Sequence, residues 1–295
     1  MRDYHIYADS SCDLPQSLAE KYNIRLVPFY VSFDHENYYK ENVDISNEDF
    51  YKRLMEKDVY PSTSLPSVQD YISAFRQTLR DGKDLICLCL ARKFSGSYQS
   101  AVNAAQILQE QFPDADIRVV DSMQATAGEG LLLLQAAYMK EAGLTLDELY
   151  AKLLVLRSTA RIMFTLDTLE YLKKGRRIGK AAALAGTVLD LKPLIQLKDT
   201  ELIPYSNIRG RKKALDKVFD MVAEYFEEAK ENPSEYDFCI ANATTMDDAL
   251  YLQKKLEDFP GRKLTYPIFQ IGVTIGAYIG PGGIGICFVK RYDCI

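Results

Sequence analysis

The sequence predicts an α/β protein of two α/β domains, residues 1–160 around a mainly parallel sheet and residues 161–295 around a mixed sheet. Three observations carry that expectation. The 295 residues are about twice the length of an ordinary domain. In the first half, short apolar runs alternate with amphipathic segments, the rhythm of βαβ units whose crossovers lay strands parallel. In the second half, two apolar runs meet across a turn too short for a crossover, so antiparallel pairing enters the sheet. With 47% hydrophobic and 26% charged residues, near the globular average, the chain can bury a sizeable core without disulfide or metal staples.

Taken in order, HIYA at 5–8, IRLVPFYVSF at 24–33, DLICLCL at 84–90 and IRVVD at 117–121 read as strands, with helical patterns near 15–22, 46–57, 67–80 and 97–111. Helix starts are marked by Ser46 with Asp49, Ser67 with Asp70 and Thr145 with Glu148, each a hydroxyl cap followed three residues later by a carboxylate. A helical stretch covers about 125–157, and the boundary falls near residue 160. Beyond it ARIMFTL reads as a strand, and LDTLEYLKK and KAAALAGTVLD as helical. KPLIQLKDTELIPYSNI reads as two strands around a Lys198–Glu201 turn, and ALDKVFDMVAEYFEEAK as a long amphipathic helix. YDFCIANA, a helix over 246–257, TYPIFQI and GIGICFV complete the second domain.

Thirty-six Lys and Arg against 41 Asp and Glu leave a net charge of −5, which argues against a protein that coats nucleic acid or anionic membrane. No window approaches the roughly 18 apolar residues of a membrane span, and MRDYHIYADSSCDLP shows no secretory leader. A cytoplasmic protein with no nucleic-acid partner and no integral membrane association is expected. The six cysteines, at 12, 87, 89, 239, 287 and 294, mostly lie in strand-like runs, so buried free thiols are expected. The two histidines, His5 and His35, stand at no metal-ligand spacing, and neither a metal nor a cofactor is expected.

VYPSTSLPS at 59–67 places Ser62, Thr63 and Ser64 on a Pro-bracketed loop just before a helix start, which suits a capped turn or an anion site. ARKFSGSYQSA at 91–101 follows a strand and leads through Ser95, Gly96 and Ser97 into a helix, again either a turn or an anion-binding loop. FSGSY is not the GxSxG elbow of hydrolases, and neither histidine is placed as a general base. Gly280, Gly282 and Gly285 spell GxGxxG, but a strand rather than a helix follows them, so a glycine-rich turn is expected instead of a dinucleotide site. DSSCD at 9–13 and DSMQ at 121–124 each follow a strand, where capping and function fit equally well. Two basic clusters stand out, KKGRRIGK at 173–180 and RGRKK at 209–213. Ordinary solvated surface accounts for both; cations at a helix start oppose its dipole, so Arg209 and Arg211 are also somewhat misplaced for stability alone and suit a partner or phosphate.

Taken together, DSSCDLP, YPSTSLPS, FSGSYQSA, DSMQATAGEG, LEYLKKGRRIG, LDLKPLI, NIRGRKKA and IGPGGIGI stand in the order and spacing of the DegV family, which the chain resembles over nearly its whole length. The resemblance implies a two-domain α/β protein that holds one long-chain fatty acid in a tunnel. It also implies likeness to the acyl-carrying subunits of bacterial fatty acid kinase, which present a bound acid to a separate kinase. The family's hydroxyl loop matches Ser62, Thr63 and Ser64, with Thr63 the first choice for a carboxylate contact. Its SSGxSG turn matches Ala91 to Gly96, so Ser95 and Gly96 are retained and the two leading serines are not. Arg209 matches an arginine near the head-group entrance, and Tyr278 stands where many kinase-linked members carry histidine.

The expected function is therefore a non-catalytic carrier whose bound ligand is a long-chain fatty acid, held through Thr63, Ser95, Ser62, Ser64, Gly96, Ser97, Arg209 and Tyr278, with a fatty acid kinase as partner. Arg209, Arg211 and Lys173 are expected on one electropositive surface near the pocket mouth. The alternative is an enzyme acting on a small acylated or phosphorylated substrate through the same Ser/Thr loops.

Overall fold

The computed structural model describes residues 2–56, 59–185, 190–259 and 266–295. The first half runs β1 (Tyr4–Asp9), α1 (Gln16–Lys21), β2 (Ile24–Val27), β3 (Tyr30–Ser32), β4 (Tyr39–Lys40), α2 (Asn47–Leu54), β5 (Ser62–Ser64), α3 (Val68–Arg80), β6 (Asp84–Cys89), α4 (Ser97–Gln111), β7 (Ile117–Asp121), α5 (Thr126–Glu141) and α6 (Leu146–Leu156). The second continues β8 (Arg161–Thr165), α7 (Glu170–Lys174), β9 (Leu191–Lys198), β10 (Glu201–Arg209), α8 (Arg211–Ala229), β11 (Tyr236–Asn242), α9 (Met246–Glu257), β12 (Phe269–Gln270), α10 (Val273–Ile279) and β13 (Ile284–Lys290).

The expected sheets form. The first is four-stranded, ordered β2-β1-β6-β7, and wholly parallel. The second is six-stranded, ordered β10-β9-β8-β13-β11-β12, antiparallel except where β12 joins β11. Asp199 and Thr200, at φ 49 and 65, give the β9–β10 hairpin the two left-handed residues that a two-residue turn of matching twist requires. All six cysteines are free thiols and five are buried.

Several elements depart from expectation. IRLVPFYVSF is two strands in different sheets, because Pro28 breaks the run and cannot donate to a ladder. Ser62 to Ser64 form a strand rather than a loop, joining β3 in a small antiparallel sheet ordered β4-β3-β5. The 125–157 stretch is two helices, split at Gly143 (φ 83) and restarted by the Thr145–Glu148 capping box. Of KAAALAGTVLD, residues 186–189 lie outside the described residues, and Gly179–Leu184 is a 3-10 turn. TYPIFQI, whose Thr265 also lies outside them, contributes only the two residues of β12. GVTIGAYI contains α10, a short helix that glycine-punctuated sequence does not announce.

α5 holds the halves together. Its AGEGLLLLQAAYM run is mostly apolar and buried at every residue but Tyr138, which places the helix in the interior. It packs on β1 and β6 of the first sheet and on β11 and β13 of the second. One core cluster consequently joins Ile6, Leu88 and Leu132 with Ile162, Ala241 and Val289.

Candidate functional site

In the parallel sheet β1 leads leftward to β2 while β6 leads rightward to β7, so the loops after β1 and β6 diverge and open a crevice at the carboxyl ends of the strands. The loop after β6, Leu90 to Gly96, carries Ser95. Facing the crevice are β5, α10, α7 and the inner face of the second sheet. Together they line a cavity of about 970 Å³ of empty space, the solvent at its open end included.

The cavity has two chemically distinct ends. Leu90, Ile162, Leu197, Leu202, Ala241 and Ile271 are buried apolar walls. At the open end stand Thr63, Ser95, Gly96 and Tyr278, joined by Leu65, Phe94 and Arg177. Thr63 Oγ1 lies 2.7 Å from the Tyr278 hydroxyl, across 215 residues of sequence. Ser95 Oγ accepts the Ser97 N–H at 3.1 Å, which leaves its own proton free to donate. The Arg177 guanidinium sits 4.9 Å from the centre of the Tyr278 ring and its Nε donates to the Phe94 carbonyl at 3.3 Å. A single-headed anion with a long apolar body matches this division.

Two further lining residues, Thr126 and Thr274, do not add polarity to the walls. Thr126 Oγ1 donates to Asp13 Oδ2 at 2.5 Å, and Thr274 Oγ1 to Glu41 Oε2 at 2.7 Å. Burial pushes the Asp9, Asp13, Glu41 and Glu129 carboxyls above the usual range, with Glu41 raising Asp13 further and Asp9 raising Glu129 further.

The structure thus gathers Thr63, Ser95, Gly96 and Tyr278 and leaves four other candidates apart. Strand alternation turns Ser62 and Ser64 away from Thr63; Ser62 Oγ meets His35 Nδ1 at 3.1 Å instead. Asp34, beside that histidine, instead accepts from Ser32, Glu36 and Asn37. Ser97 is buried, bonded to Asp9 and Tyr71 at 2.6 Å each. Arg209 is exposed at the end of β10, outside the cavity lining. Arg211 leaves the expected electropositive surface: it binds Asp248, the Gly282 carbonyl and Thr245, so nearby acceptors answer its unfavourable place at a helix start. Arg177 lies inside the basic cluster at 173–180, where sequence does not distinguish it from its charged neighbours. Leu65 and Phe94 carry no signal of their own, since apolar residues look alike in core and rim.

The sequence profile of the DegV family, described as a family of uncharacterised proteins, matches residues 3–291. The chain belongs to the DegV family. A DegV domain-containing protein of Clostridium perfringens is 32% identical over 98% of both chains. Among solved DegV-like structures, a stearic acid-binding protein from Eubacterium ventriosum superposes with a TM-score of 0.94 at 35% identity, covering 99% of this chain and 100% of the other. A DegV family protein from Thermus thermophilus, described by its fatty acid binding, gives 0.88 at 30% identity over 98% and 100%. Among the described residues of this DegV chain, no helix is long and apolar enough to cross a membrane, and no group of His, Cys, Asp and Glu could hold a metal ion.

Proposed function

We propose that the protein binds one long-chain fatty acid, tail in the apolar cavity and carboxylate at its mouth on Thr63, Ser95 and Tyr278, and presents the head group to a fatty acid kinase in the cytoplasm. The observation that carries this reading is the Thr63–Tyr278 hydroxyl pair at the open end of an otherwise apolar cavity. The fatty-acid-binding neighbours support it. Of three hydroxyl protons at the mouth, one is used within the pair, so one from the pair and one from Ser95 remain to meet a carboxylate. Arg177 adds a positive charge beside them. Hydroxyls hold an anion at small desolvation cost. At about 0.8 kcal/mol per buried CH₂, a sixteen-carbon tail contributes on the order of 10 kcal/mol gross. The tail therefore dominates affinity and the head group sets orientation.

In this reading residues 1–160 supply Thr63 and Ser95, and residues 161–295 supply Tyr278, Arg177 and most of the tail wall. Native mass spectrometry of protein purified from cells, followed by organic extraction, tests the assignment. A stoichiometric C14 to C18 fatty acid is expected; an empty protein that turns over esters would replace carrier with enzyme. Charge reversal at Arg209 tests the kinase partner, and should lower acyl-phosphate formation per bound lipid while sparing lipid binding.

A further inference from the structure

Thr63, Ser95 and Tyr278 ride on three short pieces of chain: β5, the loop from Leu90 to Gly96, and α10. None of these is rigid by its own length. All three are tied to one place, the 3-10 turn Ser10–Cys12 that follows β1.

Asp9 Oδ2 accepts from Leu90 N at 3.0 Å and from Ser97 Oγ at 2.6 Å, gripping the Ser95 loop at both ends. Asp9 Oδ1 accepts from Ser11 N at 3.3 Å and Ser11 Oγ at 2.6 Å. Each hydroxyl has one proton. Ser97 gives its proton to Asp9, so the Tyr71 hydroxyl, 2.6 Å away, donates to Ser97. Ser11 also gives its proton to Asp9 at 2.6 Å, so the 3.3 Å approach of its Oγ to Glu129 Oε2 is the weaker of its two contacts, and burial pushes the Glu129 carboxyl well above the usual range. Two backbone N–H groups, whose direction is fixed, point at Asp9, whereas Glu129 Oε1 is buried without a partner. The negative charge therefore belongs on Asp9.

The next residue serves the other side. Ser10 Oγ donates to Glu41 Oε2 at 2.5 Å and accepts the Phe29 N–H at 2.9 Å, just ahead of β3, the strand on which β5 and Thr63 are paired. Glu41 in turn accepts the Thr274 N–H at 2.9 Å and the Thr274 hydroxyl at 2.7 Å, fixing the first turn of α10, whose last turn carries Tyr278. A β-carbon on Gly272 would come within 2.6 Å of both Asp13 Oδ1 and Glu41 Oε1, so the chain at this clamp has room only for glycine.

We propose that Asp9 and Glu41 are positioning residues for the carboxylate site, Asp9 for Ser95 and Glu41 for Tyr278, joined through the adjacent hydroxyls of Ser11 and Ser10. The proposal rests on the fatty-acid reading and gives the DSSCD motif a role beyond capping its own turn.

The test compares the affinities of hexadecanoic acid and hexadecanol for the full chain, and reads the preference for acid. Asp9→Asn and Glu41→Gln should each cut that preference about tenfold, as loss of a hydrogen bond to a charged group does. Ser95→Ala should then add little in the Asp9→Asn background and its full effect in the Glu41→Gln background, with Tyr278→Phe showing the reverse. A merely structural role would lower melting temperature without this crossed pattern. Glu129→Gln, which leaves the contacts of Asp9 with Leu90, Ser97 and Ser11 in place, should leave the preference within about twofold. Effects that simply multiply in every background overturn the positioning roles, as does an Asp9→Asn protein with unaltered preference. If Asp9→Asn does not fold, Ser97→Ala removes one of its two grips and must couple to Ser95→Ala in the same way, or the proposal fails. A wild type with no preference for the acid overturns the carboxylate reading itself, whereas a wild-type preference with uncrossed effects overturns only the positioning.

Discussion

The two faces of the six-stranded sheet use the same strands and reach opposite outcomes. Toward α8 and α9, β11 and β13 present Phe238, Ile240, Ile286 and Phe288, which pack with Phe226 into a filled aromatic core. Toward α5 the alternate residues are Cys239, Ala241, Gly285 and Cys287, and here the cavity opens. Ala241 and Gly285 are cross-strand partners, and Phe164 flanks Gly285 on the next strand. A β-carbon on Gly285 would stand 2.7 Å from the Phe164 β-carbon and 2.8 Å from the Met163 carbonyl, so the strands close up at that point. Volume withheld on one face, at a period of two, makes room for a ligand without weakening the other face.

The largest expected effect lies on the filled face. Phe288→Ala should destabilise the protein by about 3–5 kcal/mol in denaturant unfolding, while each molecule still folded binds fatty acid as before. A matching loss of affinity would show that the two faces are not independent. At the mouth, Thr63→Val or Ser95→Ala should weaken acid binding about ten- to a hundredfold by calorimetry. Unchanged affinity would move the carboxylate to Tyr278 and Arg177. On the open face, Ala241→Leu should cost about tenfold in affinity for a sixteen-carbon acid and less for a ten-carbon one, because the added methylenes occupy tail volume. An equal loss for both lengths would place Ala241 away from the distal tail.

The smallest effect concerns pH and lies far from both faces. Burial, with Arg25, Lys83 and Lys140 nearby, lowers the His5 pKa from 6.5 to about 4. The unfolded chain then binds the proton more readily. His5 therefore contributes stability fully above pH 6.5 and loses that contribution as pH falls toward about 4. The difference in unfolding free energy between wild type and His5→Gln should be flat above that window and shrink within it. A difference that stays constant down to pH 4 would mean the imidazole is already charged in the folded state.

Much of this was legible in the sequence because it rests on periodicity. The parallel and mixed sheets follow from apolar runs and their spacing, and the helix starts at Ser46, Ser67 and Thr145 follow from cap chemistry. Thr63, Ser95 and Tyr278 could be named as candidates, but their meeting could not, since strand pairing and helix packing bring them together. Ser97 looked equivalent to Ser95, yet one step into the helix turns it onto a buried carboxylate. Glu41 sat in a polar stretch with no sign that it would be 1% exposed. Ser62 to Ser64 read as a loop because three polar residues resemble a turn, and only β3 supplies the partner that makes them a strand.

α5 has a consequence for how the polypeptide can be divided. Its residues Leu131 to Leu134 are each fully buried, with the first sheet on one side and the second on the other. A fragment ending at residue 160 would carry that helix with one side stripped of its cover and would self-associate through it. A fragment beginning at 161 would lack the helix against which Cys239, Ala241 and Cys287 pack. The two pieces produced together should recover one another from dilute solution, and neither should melt cooperatively alone. The cavity is thus an attribute of the whole polypeptide, inherited by neither half.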